Sequence, residues 1–210
     1  SWAECMEKGQ DALIVDGDHS YGISDRAIVD IGDSLLAVKK LVFDDRVLTM
    51  DELIHALDTN FDGKRGEEIR QLCLAAPKYG NDIDYVDNIV NDVIVNLSDE
   101  LAKHRGHAGR RYTMAAGTVQ YNIIFGMKTG ALPDGRKAGE ALGEGGISPY
   151  QGRNTVGATS TARSITKLNL VKSPGGNVLN MKFDPSSTNS HAKMMKFVNF
   201  LRTFSETGGD

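Results

Sequence analysis

The stretch Ala76–Asp87, A-P-K-Y-G-N-D-I-D-Y-V-D, decides how the first half of the chain is interpreted. Pro77 ends the helical pattern before it, because proline lacks an amide donor and restricts the residue that precedes it. The acidic residues after the Gly80-Asn81 turn predict the start of a new helix, with Asn81 or Asp82 as its cap. Three carboxylates could instead bind a cation, but a helix start is the better interpretation.

Helical patterns lie on both sides of this stretch. Apolar residues recur with the spacing of one helix face over Asp25–Phe43, and another helix is predicted over Glu67–Ala75. The sequence T-M-D-E at Thr49–Glu52 is a capping box and predicts one more helix start. The longest helix is predicted over Ile83–Lys103. Residues 1–104 are therefore expected to be mainly helical.

The sequence changes character after His104, where glycine, serine and threonine become frequent. Short runs of β-branched, aromatic and small residues predict buried strands here. These strands are Tyr112–Phe125, Ser164–Val171 and Asn177–Phe183. A helix over Thr188–Phe204 closes the chain, so residues 105–210 are expected to supply strands, Gly-rich loops and one helix.

The composition disfavours several classes of function. Lys and Arg number 24 against 28 Asp and Glu, and no basic cluster is present that could bind the phosphates of a nucleic acid. No apolar run approaches the ~18 residues of a membrane span, and the first residues lack the pattern of a secretion signal. Cys5 and Cys73 are too few for a disulfide framework. A cytoplasmic protein is expected.

Two motifs resemble metal sites without meeting their requirements. Asp58–Gly63 matches the first half of a calcium-binding EF-hand loop, but its twelfth position, which needs a bidentate glutamate, is Ile69. A polar turn between helices is the better interpretation, and a calcium-binding helical protein is the weaker alternative. His104 and His107 have no acidic partner at zinc-ligand spacing. No metal is expected to bind to this chain.

The segment Gly130–Lys137 spaces two glycines like a phosphate-binding loop but lacks the Gly-Lys-Ser/Thr ending of such loops. Pro133 also removes an amide donor. The segment is therefore interpreted as a Pro-Asp-Gly turn, in which Arg136 binds neighbouring backbone carbonyls or a carboxylate.

Several segments, taken in order along the chain, resemble the glycyl radical enzymes, the family that includes pyruvate formate-lyase. They are Gly32–Phe43, Ala76–Asp87, Ala131–Leu142, Gly145–Asn154 (G-G-I-S-P-Y-Q-G-R-N) and Asn177–Phe183. The resemblance implies an α/β fold: part of a ten-stranded α/β barrel, with helices outside and several barrel strands missing. Residues 1–104 would form the outer helical layer and residues 105–210 the strands, loops and closing helix of one continuous partial domain.

The family's reactive residues are not found in this sequence. Its thiyl-forming cysteine lies in a Gly-Cys-Val/Ile-Glu loop, and neither Cys5 nor Cys73 has those neighbours. Its radical glycine lies in an Arg-Val-x-Gly-Tyr/Phe loop, and this sequence contains none. The chain is therefore expected to be an internal fragment of the C-terminal half, which binds no cofactor and is inactive when isolated.

The resemblance implies an anaerobic radical lyase as the parent enzyme. In this family a radical S-adenosylmethionine activating enzyme abstracts hydrogen from the glycine, the glycyl radical oxidises the cysteine, and the thiyl radical takes hydrogen from a small organic substrate. The sequence G-G-I-S-P at Gly145–Pro149 favours the dehydratase, decarboxylase and C–X lyase branch. The activating enzyme and a second copy of the parent are the expected partners. The alternative is a non-catalytic α/β scaffold or binding module.

The strand predicted over Thr113–Ile123 is expected to line the substrate cavity of the parent. Strand alternation places four candidate pocket residues on one face: Met114, Thr118, Gln120 and Asn122. Gln120 and Asn122 would bind a substrate oxygen or satisfy backbone groups of the barrel. The structural loop residues, which would shape and brace the interior rather than react, are Asp134, Gly135, Arg136 and Ser148.

Overall fold

The computed structural model describes residues 2–10, 21–25, 27–106, 109–118 and 120–208. Its helices are α1 (Trp2–Lys8), α2 (Ile28–Val38), α3 (Met50–Asp58), α4 (Gly63–Ala75), α5 (Asp84–Leu101), α6 (Tyr121–Gly126), α7 (Ala158–Thr166) and α8 (His191–Glu206). The strands are β1 (Tyr21–Asp25) and β2 (Tyr112–Ala116). His107, considered above as a zinc ligand, lies outside the described residues. Within those ranges, every helix is too short or too polar to cross a membrane.

The helices of the first half follow the predicted pattern closely. Helix α2 continues into a π-helical segment at Lys39–Asp44, α4 begins earlier than predicted, and α5 lies within the predicted range. The predicted capping box is confirmed: the Thr49 hydroxyl accepts from the Glu52 amide at 3.1 Å, and the Glu52 carboxylate accepts from the Thr49 amide at 2.9 Å. Local sequence signals therefore determine where these helices start and stop.

Two hydrophobic clusters hold the helices together. The first packs α2 and α5 against β2, and its members include Ile28, Leu36, Tyr79, Val86, Val90, Ile94, Met114 and Ala116. The second packs α2, α3 and α4 against one another, and its members include Ala37, Leu41, Leu53, Phe61, Ile69 and Cys73. The spacing of Val86, Val90 and Ile94 by four residues puts one apolar stripe of α5 against the strand.

The sheet is small and parallel. β1 pairs with β2 in a register that sets Tyr21 opposite Tyr112 and Asp25 opposite Ala116. On the other edge of β2, Asn177 forms a parallel bridge to Ala116, and the Val178 amide donates to the Ala116 carbonyl at 2.8 Å. The strand predicted over Asn177–Phe183 is thus reduced to a short extended contact with β2.

The strand predicted over Tyr112–Phe125 is correct only for its first residues. β2 ends at Ala116, and α6 begins at Tyr121. Gln120 has φ +59°, a left-handed conformation that interrupts a strand. A short run of apolar residues fits a strand or a buried helix equally well, so periodicity alone could not separate the two.

The strand predicted over Ser164–Val171 is wrong. These residues complete α7 and continue into a 3₁₀ turn at Leu170–Lys172. Ala162 and Ile165 are buried on one side of α7, a helical rather than an alternating pattern. The closing helix predicted over Thr188–Phe204 is confirmed as α8, and its capping residue is Ser190.

Candidate functional site

The candidate site lies at the carboxyl end of β2, the kind of position where parallel α/β sheets place their ligands. Gly146 packs directly on this end of the strand, because a Cβ there would lie 2.0 Å from the Ala116 carbonyl oxygen. The Gly146 amide donates to the Val178 carbonyl at 3.0 Å. The loop that contains Gly146 is therefore fixed against both β2 and the extended segment beside it.

Thr118 follows β2 and is only 6% exposed. Its hydroxyl is buried and has no hydrogen-bond partner among the residues that the structure describes. A buried polar group without a partner costs roughly 1–3 kcal/mol. The described residues therefore leave the hydrogen-bonding capacity of the Thr118 hydroxyl unmet.

The other pocket candidates lie in different surroundings. Met114 is fully buried in the first hydrophobic cluster, together with side chains of α2 and α5. Gln120 is exposed and precedes α6 as its cap residue. Asn122 is buried, and its side-chain amide donates to the Leu142 carbonyl at 3.4 Å. The predicted single strand face is thus wrong beyond Ala116, and the roles of these residues toward a substrate stay predictions.

Arg136 binds backbone carbonyls, as the turn motif predicts. Its guanidinium, 1% exposed, donates to the carbonyl oxygens of four residues at 2.6 to 3.2 Å. These residues are Gly126, Thr129, Gly130 and Glu140. Gly135, at φ +95°, accepts from the Arg70 side chain at 3.0 Å through its carbonyl. The turn is therefore a buried brace that holds the end of α6 beside the loop.

Ser148 joins two segments of the loop region. Its hydroxyl accepts from the Asn180 amide at 2.7 Å, so the loop at Gly145–Gly152 is bonded to the segment that follows Val178. Ser148 also lines an open cleft of about 510 Å³. Other residues around this cleft are Glu144, Asn154, Thr161, Asn180 and Phe183.

Buried charges that the sequence analysis missed attach α2 to this loop. Both carboxylate oxygens of Asp30 accept from the Gly143 amide, at 2.9 and 3.1 Å. Asp33 accepts from the Tyr79 amide at 2.9 Å, and its other oxygen lies 3.7 Å from the Arg153 guanidinium. Burial raises the pKa of Asp30 to about 6 and that of Asp33 to about 7. The sequence signal that could have revealed these buried acids is their spacing, since Asp30 and Asp33 lie three residues apart in an otherwise apolar helix.

Arg153 also forms the shortest ion pair of this group. Its guanidinium donates to Asp134 at 2.6 Å, and it lies over the Tyr150 ring, 4.0 Å from the ring centroid. Asp134 is fully buried and accepts from the Arg136 amide at 2.9 Å through its other oxygen. Asp134 therefore connects the Arg136 turn to the Arg153 ion pairs.

The acidic residues of Ala76–Asp87 bind an ammonium group of the chain itself. The Lys167 ammonium lies 2.7 Å from Asp82, 2.6 Å from Asp84 and 2.9 Å from Asp87. Burial would lower the pKa of Lys167, but hydrogen bonds to the three carboxylates outweigh it and raise this pKa above its usual value. Elsewhere too, the described residues contain no group of three or more His, Cys, Asp or Glu side chains arranged to hold a metal.

The prediction that Asn81 or Asp82 caps α5 is wrong. The cap position is Ile83, which makes no side-chain capping bond. Asn81 instead accepts from the Thr155 amide at 2.8 Å, and Asp82 pairs with Lys167. Partners distant in the sequence satisfy these side chains, so the local helix-start pattern is overridden.

The two cysteines described here lie in different helices and different surroundings. Cys73 is fully buried in the second hydrophobic cluster, away from the cluster that contains β2. Burial raises the pKa of the Cys73 thiol to about 11. Cys5 lies in α1 and is partly exposed.

Comparison with known proteins identifies the family. Residues 2–126 match the pyruvate formate lyase-like family and residues 144–210 match the glycine radical family. The chain is 39% identical to a probable dehydratase of Escherichia coli over 85% of its own length and 23% of that protein. It is 40% identical to the isethionate sulfite-lyase of Nitratidesulfovibrio vulgaris over 82% of its length and 21% of that enzyme.

The fold is also shared with a solved structure. The glycerol-bound glycerol dehydratase of Clostridium butyricum superposes with a TM-score of 0.87 at 35% identity, over 98% of this chain and 26% of the dehydratase. The chain thus spans about a quarter of the length of the relatives that it matches. Sequence and structure agree, and the chain belongs to the glycyl radical enzymes.

Proposed function

We propose that this chain is part of a glycyl radical lyase of the dehydratase, decarboxylase or C–X lyase branch, which breaks a bond in a small organic substrate. The relatives named above include dehydratases and a sulfite-lyase, which supports this branch. In this proposal the chain supplies part of the wall of the substrate cavity and the residues that brace it. Residues 1–104 form the outer helical layer of a partial ten-stranded barrel, and residues 105–210 form its strands, loops and closing helix. The thiyl cysteine and the radical glycine come from other parts of the parent.

The observation that carries this role is the Thr118 hydroxyl. It is buried at the carboxyl end of β2 and lacks a partner among the described residues. A substrate hydroxyl or carboxylate could satisfy it, whereas the side chains of Met114 and Asn122 are already engaged in packing and bracing. Thr118 is therefore our first candidate for direct substrate contact, and the exposed Gln120 is the second.

The remaining parts of the proposal concern the parent enzyme. An activating radical S-adenosylmethionine enzyme would install the glycyl radical, and the parent would form a homodimer. The isolated chain would be inactive because the family's reactive loops are not in its sequence. Sequencing the coding DNA on both sides tests this directly: an upstream Gly-Cys-x-Glu loop and a downstream Arg-Val-x-Gly loop are expected.

Thr118→Val tests the pocket role in the full-length polypeptide that contains these residues. Valine keeps the shape of threonine but removes the hydroxyl, so a lost substrate hydrogen bond should lower kcat/KM by about 10-fold or more. Thermal stability should stay equal or rise, because the unsatisfied hydroxyl is gone. The measurement is steady-state kinetics under anaerobic activation, together with a melting curve.

Thr155→Val is the matched control, since Thr155 is exposed and its amide is bonded to Asn81 rather than to β2. Its kinetics should equal those of the unmodified enzyme. Unchanged kinetics in Thr118→Val would remove Thr118 from the pocket. A full-length protein without the reactive loops, or without lyase activity after activation, would instead favour the non-catalytic scaffold.

A further inference from the structure

Helix α6 and the residue after it carry a patch of large apolar side chains on the surface. Ile123, Ile124 and Met127 are 53%, 51% and 70% exposed. Residues three and four positions apart lie side by side on a helix, so these three side chains form one continuous surface. Tyr121 and Phe125 extend it, and their ring centroids lie 5.9 Å apart. These five residues are called the α6 patch.

The opposite side of α6 is fixed to the rest of the fold. Asn122 is buried, and its backbone carbonyl accepts from the Leu142 amide at 3.1 Å. Gly126 packs so closely on the following loop that a Cβ there would lie 2.3 Å from the Glu140 carbonyl oxygen. The Gly126 carbonyl also accepts from the Arg136 guanidinium at 2.9 Å. The helix therefore cannot turn the α6 patch inward without breaking these contacts.

The sequence around the α6 patch carries no charge. Arg111 and Lys128 are the nearest charged residues on its two sides, and every residue between them is uncharged. Monomeric proteins seldom expose contiguous apolar surfaces larger than a few hundred Å², and such surfaces mark contact sites. The buried centres of protein interfaces are likewise depleted of charged residues. The composition indicates a surface that is permanently covered rather than one that meets its partner transiently.

We propose that the α6 patch is an internal interface of the parent enzyme, covered by apolar side chains from a part of the same polypeptide outside these 210 residues. The chain spans about a quarter of the relatives that it matches, so most of such a parent is available to supply this cover. This inference rests on the part of the proposed function that places the chain in a longer parent. It does not rest on the lyase chemistry.

The area of the α6 patch favours a covalently linked segment over a second copy of the chain. The patch exposes on the order of 500 Å², less than the roughly 800 Å² that each partner buries in a stable dimer. A segment of the same polypeptide needs no such area, because it loses little translational and rotational freedom when it docks.

The covering segment would also lie close to the candidate site. Helix α6 begins three residues after Thr118, which follows the carboxyl end of β2. The segment seated on α6 is therefore the part of the parent that we expect to form the neighbouring wall of the substrate cavity.

Ile124→Cys in the full-length polypeptide tests this interface without a measurement of activity. The variant is treated with N-ethylmaleimide under native conditions and in urea, and mass spectrometry of its peptides follows modification of residue 124. A covered side chain should react at least about 100-fold more slowly in the native protein than in urea, because reaction requires local opening. Lys64→Cys, at an exposed position on α4, is the matched control and should react at similar rates in both.

A photo-crosslink identifies the covering segment. The full-length polypeptide carries p-benzoylphenylalanine in place of Ile124, and nitrogen-15-labelled protein is mixed with unlabelled protein before irradiation. We expect crosslinked peptides of one isotope composition that join residue 124 to a segment outside residues 1–210. Peptides of mixed composition would show that a second copy covers the α6 patch and would overturn the proposal. Crosslinks confined to residues 1–210 would overturn it as well.

The two cysteine variants decide whether the α6 patch is covered at all. Native modification of Ile124→Cys as fast as that of Lys64→Cys would overturn the proposal. If Ile124→Cys does not fold, Ile123→Cys on the same patch is measured in the same way. A protected residue 124 in a full-length protein without lyase activity would support the interface while removing the proposed reaction.

Discussion

Arg136→Met should destabilise the chain by about 4 kcal/mol or more, the larger of the two strongest effects that we expect. Methionine fills similar space but leaves the buried carbonyl of Gly126 and three partly buried carbonyls without their charged donor. Each unsatisfied buried group costs roughly 1–3 kcal/mol, and relaxation of the turn recovers part of that. The measurement is the free energy of unfolding from urea titration followed by circular dichroism.

One further variant separates charge from geometry at this position, and another serves as an exposed control. Arg136→Lys should recover only part of the loss, because an ammonium lacks the planar fork that reaches several carbonyls at once. Arg202→Met, at an exposed site on α8, should change stability by less than about 0.5 kcal/mol. A loss below about 1 kcal/mol in Arg136→Met would show that the turn is held by other contacts.

Gly146→Ala should cost about 3 kcal/mol or prevent folding, since its new Cβ would overlap rigid backbone. The nearest atoms would be the carbonyl oxygen and carbon of Ala116, at 2.0 and 2.2 Å. Relief requires the loop to move away from β2, which also breaks the bond from the Gly146 amide to Val178. Urea unfolding measures the loss, and hydrogen exchange at the amide of residue 146, the donor of that bond, reports the displaced contact.

Gly130→Ala is the matched control for this substitution. A Cβ at Gly130 meets no atom within 4 Å, so its stability should stay unchanged or rise slightly. If Gly146→Ala proved as stable as Gly130→Ala, the close packing of the loop on β2 would be refuted. Comparing the stabilities of these two variants separates the steric overlap at Gly146 from the general effect of adding a methyl group.

The helices of the first half could be predicted because their signals are local. The Thr49 capping box, the stop at Pro77 and the apolar stripe of α5 each act within a few residues. The Arg136 turn was also predictable, since Pro-Asp-Gly sets the backbone and the arginine reaches carbonyls close in sequence. The ordered motifs predicted the family, which the comparisons show.

The strands and the site depended on partners far along the chain. β2 forms where β1 and Asn177 pair with its two edges. The residues that follow do not continue the strand, because Gln120 has a left-handed backbone conformation and helix α6 begins after it. Local strand propensity carries no information about these distant partners. The predicted strand was therefore too long, and the pocket residues were assigned to a strand face that the chain does not form.

The sequence by itself determined the family, the longer helices of the first half and the Arg136 turn. Only the tertiary structure decided which charges are buried and what they bind. Lys167 meets three carboxylates from Ala76–Asp87, and Arg153 meets Asp33 on α2, because folding brings together segments about 80 or more residues apart. Charges at such separations interact through space, and the cost of burying them is set by the whole fold.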